Sequence, residues 1–168
     1  MEYFDAHVCF PFKNHSEAGF SKVGVWGKDV VEFEDIVKSN RILLLESRDL
    51  SYIKPRIKRC GLIHDPEYRL DSLVMRSALR HAKPFEIPIR PLLVSSGTVR
   101  ARLMGKMRRF LMFCNKRGAD YVITSRARNI YETKHPAEFM AICCALGLKY
   151  DQALRAITEI PKDVLGGQ

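Results

Sequence analysis

The stretch from Phe85 to Pro136 limits the possible folds more than any other part of the chain. An apolar strand runs into Ile89-Arg90-Pro91-Leu92-Leu93, a basic helix follows from Thr98 to Arg117, and a second strand ends in Thr124-Ser125-Arg126-Ala127. Two apolar strands joined by a helix thus present arginines and hydroxyls at their C-terminal ends. That is the layout of a (β/α) barrel whose working face lies at the strand ends. The chemistry at that face is cationic and suits phosphate, with no nucleophile or metal cage in view.

The alternation continues in both directions. Strands are expected at Tyr3–Cys9, Lys22–Trp26, Ile42–Leu45, Leu62–His64, Phe85–Ile89 and Tyr121–Thr124. A short helix is expected at His15–Phe20. A second is expected at Asp29–Ser39, where Val30, Phe33, Ile36 and Val37 recur at helical spacing. Asp49 can cap a helix toward Arg59 that Pro55 kinks or splits. Leu70–Ala82 reads as a helix with Leu70, Leu73, Val74, Ser77, Ala78 and His81 on one face. Arg69, Arg76, Arg80 and Lys83 fall on another. The helix from Thr98 turns Val99, Leu103, Met107, Phe110, Leu111 and Cys114 inward, and Arg102, Lys106, Arg109 and Lys116 outward, with Gly118 closing it. Pro136 opens a helix through Leu146, and the last helix spans Asp151–Glu159.

The expected fold class is α/β: six or seven mainly parallel strands in a trimmed or incomplete (β/α) TIM-like barrel. A full eightfold barrel needs at least ~200 residues, and this chain has 168. Residues 1–168 are expected to form a single domain, with thinner helical cover near the N-terminus.

The net charge of +9 is unevenly spread. Residues 1–50 hold six Lys/Arg against nine Asp/Glu, for −3, and residues 51–168 hold 22 against 10, for +12. Nine basic residues lie between Lys83 and Arg117, and no Asp or Glu lies between Pro91 and Arg117. A solvated helix face usually mixes in glutamates, so this lack of compensation points to a phosphate backbone as partner. Sparse aromatic interleaving argues against stacking on single strands and for shape recognition of folded RNA or duplex. Cys9, Cys60 and Cys114 sit in apolar runs, and no pair among the five cysteines has CxxC spacing. They read as small hydrophobes in a reducing cytoplasm. No signal-peptide pattern and no membrane-spanning run is seen, so a cytoplasmic location is expected.

Three other patterns carry potential chemistry. Asp5-Ala6-His7 resembles the D-x-H-x-H opening of polymerase-and-histidinol-phosphatase-type phosphoesterases, but Cys9 stands where the second histidine belongs. A metal-dependent phosphoesterase using Asp5 and His7 is therefore the rival reading, against a hydrogen-bonded core or rim histidine. Asp65, Glu67 and Asp71 could mimic an acidic metal cluster, although helix capping also explains them. Ser95-Ser96-Gly97-Thr98 is phosphate-loop-like without the P-loop spacing, and capping explains it equally.

Glu46-Ser47-x-Asp49-Leu50, Arg90-Pro91-Leu92-Leu93, Arg100-Ala101-x-Leu103, Thr124-Ser125-x-Ala127 and Pro136 occur in order. On these residues, from about Leu43 to Val164, the chain resembles protein component 3 of archaeal ribonuclease P, the homologue of the eukaryotic thirty-kilodalton subunit. The resemblance implies a phosphoesterase-type barrel without its metal site. It implies a scaffold that pairs with protein component 2, stabilises the catalytic ribonuclease P RNA and meets precursor tRNA only indirectly. No cofactor is then expected for the protein itself, and Mg²⁺ is expected for the RNA enzyme. A third reading is a general basic nucleic-acid-binding domain.

No residue is assigned as catalytic or as a metal ligand. The candidate RNA-binding residues are Arg76, Arg80, Arg90, Arg100, Arg102, Lys106, Arg126 and Arg128. Arg90 stands between two roles: a bidentate phosphate contact, or an ion pair that pins the rim to Glu46 or Asp71.

Overall fold

The computed structural model describes residues 1–11, 15–33 and 41–166. Among the described residues seven strands carry the fold, all parallel. β1 (Phe4–Val8) pairs with β2 (Lys22–Val25). β3 (Val30–Glu32), β4 (Ile42–Glu46), β5 (Leu62–His64), β6 (Phe85–Pro88) and β7 (Tyr121–Thr124) form a second sheet in that order. The two sheets meet at a parallel bridge between Trp26 and Val30. On the far side, the Arg126 N–H donates to the His7 carbonyl at 2.9 Å, and the Cys9 N–H to the Ala127 carbonyl at 2.7 Å. The strands therefore follow one another around a ring whose ladder is interrupted at two seams. This is the incomplete parallel barrel that the strand–helix alternation implies.

Period-2 alternation divides the apolar residues into two cores. Leu45, Ile63, Ile87 and Ile123 face the outer helices and pack with Met75, Met107, Phe110, Leu111 and Phe139. Phe4, Ala6, Val30, Leu44, Leu62 and Val122 form a smaller cluster with Ile160 and Leu165. The latter two belong to α7 (Glu159–Gly166), a helix that the sequence reading missed. Lys22, at the start of β2, donates to the Leu165 carbonyl at 2.7 Å, so α7 closes the N-terminal end of the barrel. β1 and β2 approach so closely that a Cβ on Gly24 would lie 2.3 Å from the Ala6 carbonyl oxygen. Only glycine fits there.

The outer helices are α1 (Leu50–Ile53), α2 (Ser72–Arg80), α3 (Arg90–Val94), α4 (Gly97–Arg117), α5 (Pro136–Ala145) and α6 (Tyr150–Ile157). Asp49 caps α1, and Pro55 separates it from a 3-10 turn at Ile57–Arg59. Gly118, at φ +71°, closes α4 in the left-handed conformation.

Several expectations need correction. Val30–Glu32 is a strand, although Val30 and Phe33 share helical spacing; the remainder of that expected helix, residues 34–39, lies outside the described residues. Residues 15–19 form turns rather than a helix. Arg90-Pro91-Leu92-Leu93 is the start of α3, not a strand end, because proline suits the first helical turn. α2 buries Val74, Met75 and Ala78, and leaves Leu70 and Leu73 about half exposed. Val99 is likewise exposed, in the first turn of α4.

Candidate nucleic-acid interface

The C-terminal strand ends surround a polar core. Glu46 ends β4, His64 ends β5, Glu86 lies within β6, Thr124 ends β7, and Asp5 and His7 lie on β1. Glu86 is the hub. Its buried carboxylate accepts from His7 Nδ1 at 2.7 Å, from Thr124 Oγ1 at 2.8 Å, and from Arg126 through Nε at 3.0 Å and through Nη2. Arg126 also donates from Nη1 to Glu46 at 2.8 Å. The backbone at Arg126 is left-handed, at φ +46°. That uncommon conformation turns the chain just past β7 and folds the guanidinium back into the barrel.

The electrostatics follow from these contacts. Burial alone would raise the Glu86 pKa, but Arg126 and His7 hold it well below the ordinary carboxylate range. Burial opposes protonation of His7, yet the Glu86 carboxylate outweighs it and carries the pKa up to about 9. Burial beside Arg126 lowers His64, whose Nδ1 donates to the Glu86 carbonyl at 3.1 Å. Asp5, almost fully buried, is pushed up to about 6 by burial, against hydrogen bonds from Ser125 and from the His7 N–H. Its carboxylate receives the Ser125 N–H at 3.1 Å and so ties β1 to the end of β7 across the seam.

This geometry removes both residues of the phosphoesterase reading. Asp5 spends its oxygens on backbone N–H groups, and His7 spends its ring nitrogens on Glu86 and, at 3.6 Å, on the Cys9 sulfur. A guanidinium sits between Glu46 and Glu86, where their charge would otherwise attract a cation, so this donor set does not fit a metal ion. The second acidic group is equally committed. Asp65 binds Arg69 in a fork, Glu67 pairs with Lys106 at 2.6 Å, and Asp71 caps α2. Ser96 precedes α4 but makes no side-chain cap, so the expected capping at Ser95–Thr98 is not formed.

The eight candidate RNA-binding residues fall into three groups. Arg76 and Arg80 on α2, and Arg100 and Arg102 on α4, are exposed, and among the described residues none has a carboxylate partner. Arg128 is also exposed, beyond β7. Lys106 and Arg90 are half-buried and paired. Arg90 makes a two-bond fork with Glu132, at 2.8 and 3.1 Å, so it pins the rim to the segment after β7 rather than to Glu46 or Asp71. Arg126 is the internal cation just described, not a surface one. The sequence reading missed Glu86, although a carboxylate within an apolar strand is itself a signal, because a buried charge requires partners.

The family model for RNase P subunit p30 matches residues 62–167. The chain belongs to this family. It is 32% identical over 111 residues to ribonuclease P protein component 3 of Methanosarcina barkeri, an alignment covering 64% of this chain and 46% of that protein. It is 28% identical over 96 residues to the component 3 of Methanothermobacter thermautotrophicus, covering 57% and 39%. The chain thus spans about half the length, or less, of these relatives. Among solved structures, a chain of an archaeal ribonuclease P with mature tRNA superimposes with a TM-score of 0.72 at 21% identity, over 98% of this chain and 79% of that one. An ochratoxinase of A. niger superimposes at 0.53 and 14% identity, over 75% and 31%. These structural likenesses show the fold alone, a parallel (β/α) barrel.

Proposed function

We propose that this chain acts as a protein subunit of ribonuclease P. It binds and stabilises the catalytic RNA that removes the 5′ leader from precursor tRNA, and contributes no catalytic group. The observation that carries this reading is the division of charge within a p30-family chain. Arg90 and Arg126 at the barrel mouth are paired with carboxylates, whereas Arg76, Arg80, Arg100 and Arg102 stand outward and uncompensated on neighbouring helices. Such a surface engages phosphate backbones without demanding sequence. Protein component 2 is the expected protein partner, precursor tRNA is met through the RNA, and the cytoplasm is the expected location. Mg²⁺ belongs to the RNA's chemistry. No helix among the described residues is long and apolar enough to cross a membrane.

Binding of ribonuclease P RNA measured against salt tests the surface. Arg→Ala at all four positions is expected to reduce the log–log salt slope by roughly 3, from about 0.7–0.9 per phosphate contact, with melting unchanged. An unchanged slope would place the RNA on another face.

A further inference from the structure

A cavity of about 880 Å³ opens at the C-terminal mouth of the barrel. That size suits a small ligand. Trp26, Arg48, Arg90, Arg126 and Arg128 line it together with Glu32 and Glu46. Arg90 and Arg126 are committed to carboxylates. Arg48 and Arg128 are exposed and make no ion pair among the described residues. They follow β4 and β7, which are three strands apart around the ring, so they approach the mouth from different sides.

Trp26 is the second unusual feature. His7 stacks on its indole, with ring centroids 5.1 Å apart and planes within 19°. The indole nevertheless remains 40% exposed and borders the cavity. An indole fixed in orientation by a neighbouring ring, yet open to a cavity, is a platform for a nucleobase. An arginine on each flank suits the two phosphates that bracket one nucleotide in a strand. Arg126 already neutralises Glu46. Glu32 keeps the mouth only mildly positive, which disfavours a continuous backbone track.

We propose that the barrel mouth takes a single unpaired nucleotide of an RNA strand, its base laid on Trp26 and its flanking phosphates held by Arg48 and Arg128. This rests on the reading that the partner is RNA, and adds a point contact separate from the outer stripe of α2 and α4.

Trp26 is the chain's only tryptophan, so its fluorescence reports on the site directly. The full chain is titrated with a single-stranded trinucleotide and, separately, with a nucleoside monophosphate. The trinucleotide is expected to quench saturably and to bind about tenfold more tightly than the monophosphate, since only it carries a phosphate on both sides of a base. Arg48→Ala and Arg128→Ala should each weaken it by about tenfold, whereas Lys162→Ala on α7, at the opposite end of the barrel, should leave it unchanged. Equal affinity for the two probes contradicts a strand-borne nucleotide and points to a free one. Absence of quenching, or quenching untouched in the Arg48→Ala/Arg128→Ala chain, overturns the site. The two readings fail separately. Tight binding of ribonuclease P RNA with Trp26 silent removes the mouth site alone, and nucleotide quenching without RNA binding removes the subunit reading alone.

Discussion

Glu86→Gln is the most informative change in the barrel. The substitution keeps the shape of the side chain and deletes its charge. It leaves Arg126 with Glu46 alone, and leaves His7 without the anion that keeps it protonated. Breaking a buried pair by removing one partner costs ~3–5 kcal/mol. For a chain of this length that is roughly 10 °C in melting temperature. The pH dependence separates this mechanism from a general packing defect. The folded His7 pKa of about 9 lies above its ordinary value near 6.5. A raised histidine contributes stability that is fully present below the unfolded pKa and is lost as pH rises through the folded pKa. That contribution is on the order of 3 kcal/mol in the native chain, and the variant lacks it. Urea unfolding of both proteins at pH 6.5, 8 and 10 should therefore show the widest gap at pH 6.5, narrowing by pH 10. A gap under about 1 kcal/mol, or one that does not change with pH, refutes the charge-network account.

Two further outcomes follow from the same geometry. The folded Asp5 pKa of about 6 is raised, so its stabilising effect holds below the usual carboxylate range and is lost as pH climbs through 6; Asp5→Asn, which keeps an acceptor for the Ser125 N–H, should flatten the pH 4–6 stability profile and melt no lower than the native chain at pH 7.5. Arg90→Lys loses the fork to Glu132 and should cost about 1 kcal/mol in urea unfolding, with RNA binding weakened no more than the lost stability explains; native stability with weakened binding would instead make Arg90 an RNA contact.

The parts of this fold that were legible in the sequence are those whose signals are long or redundant. α4 carries buried Met107, Phe110, Leu111 and Cys114 at helical spacing and ends in a glycine, and both ends fell within a residue of expectation. β7 is a fully buried aromatic and β-branched run, Tyr121-Val122-Ile123-Thr124, between polar flanks. Short segments were harder. Val30 and Phe33 match a helix by coincidence of spacing, and only pairing with β4 makes Val30–Glu32 a strand. In α2 the leucines look like the core face, but the sheet packs on Val74, Met75 and Ala78. The site was half legible. Arg126 was singled out for its position at a strand end, yet its inward direction depends on a left-handed residue and on two carboxylates 40 and 80 positions earlier in the chain. The one trace of that closure in the sequence is Glu86, a carboxylate within an apolar strand, and nothing in the spacing names its partners.

The subunit reading is tested most directly by 5′-leader cleavage of precursor tRNA, in Mg²⁺, with the chain alone, with ribonuclease P RNA alone, and with both. The account predicts no cleavage by the chain alone, and faster cleavage or a lower Mg²⁺ requirement when the chain joins the RNA. Metal-dependent cleavage by the RNA-free chain, abolished by His7→Ala in a variant that still folds, would contradict it.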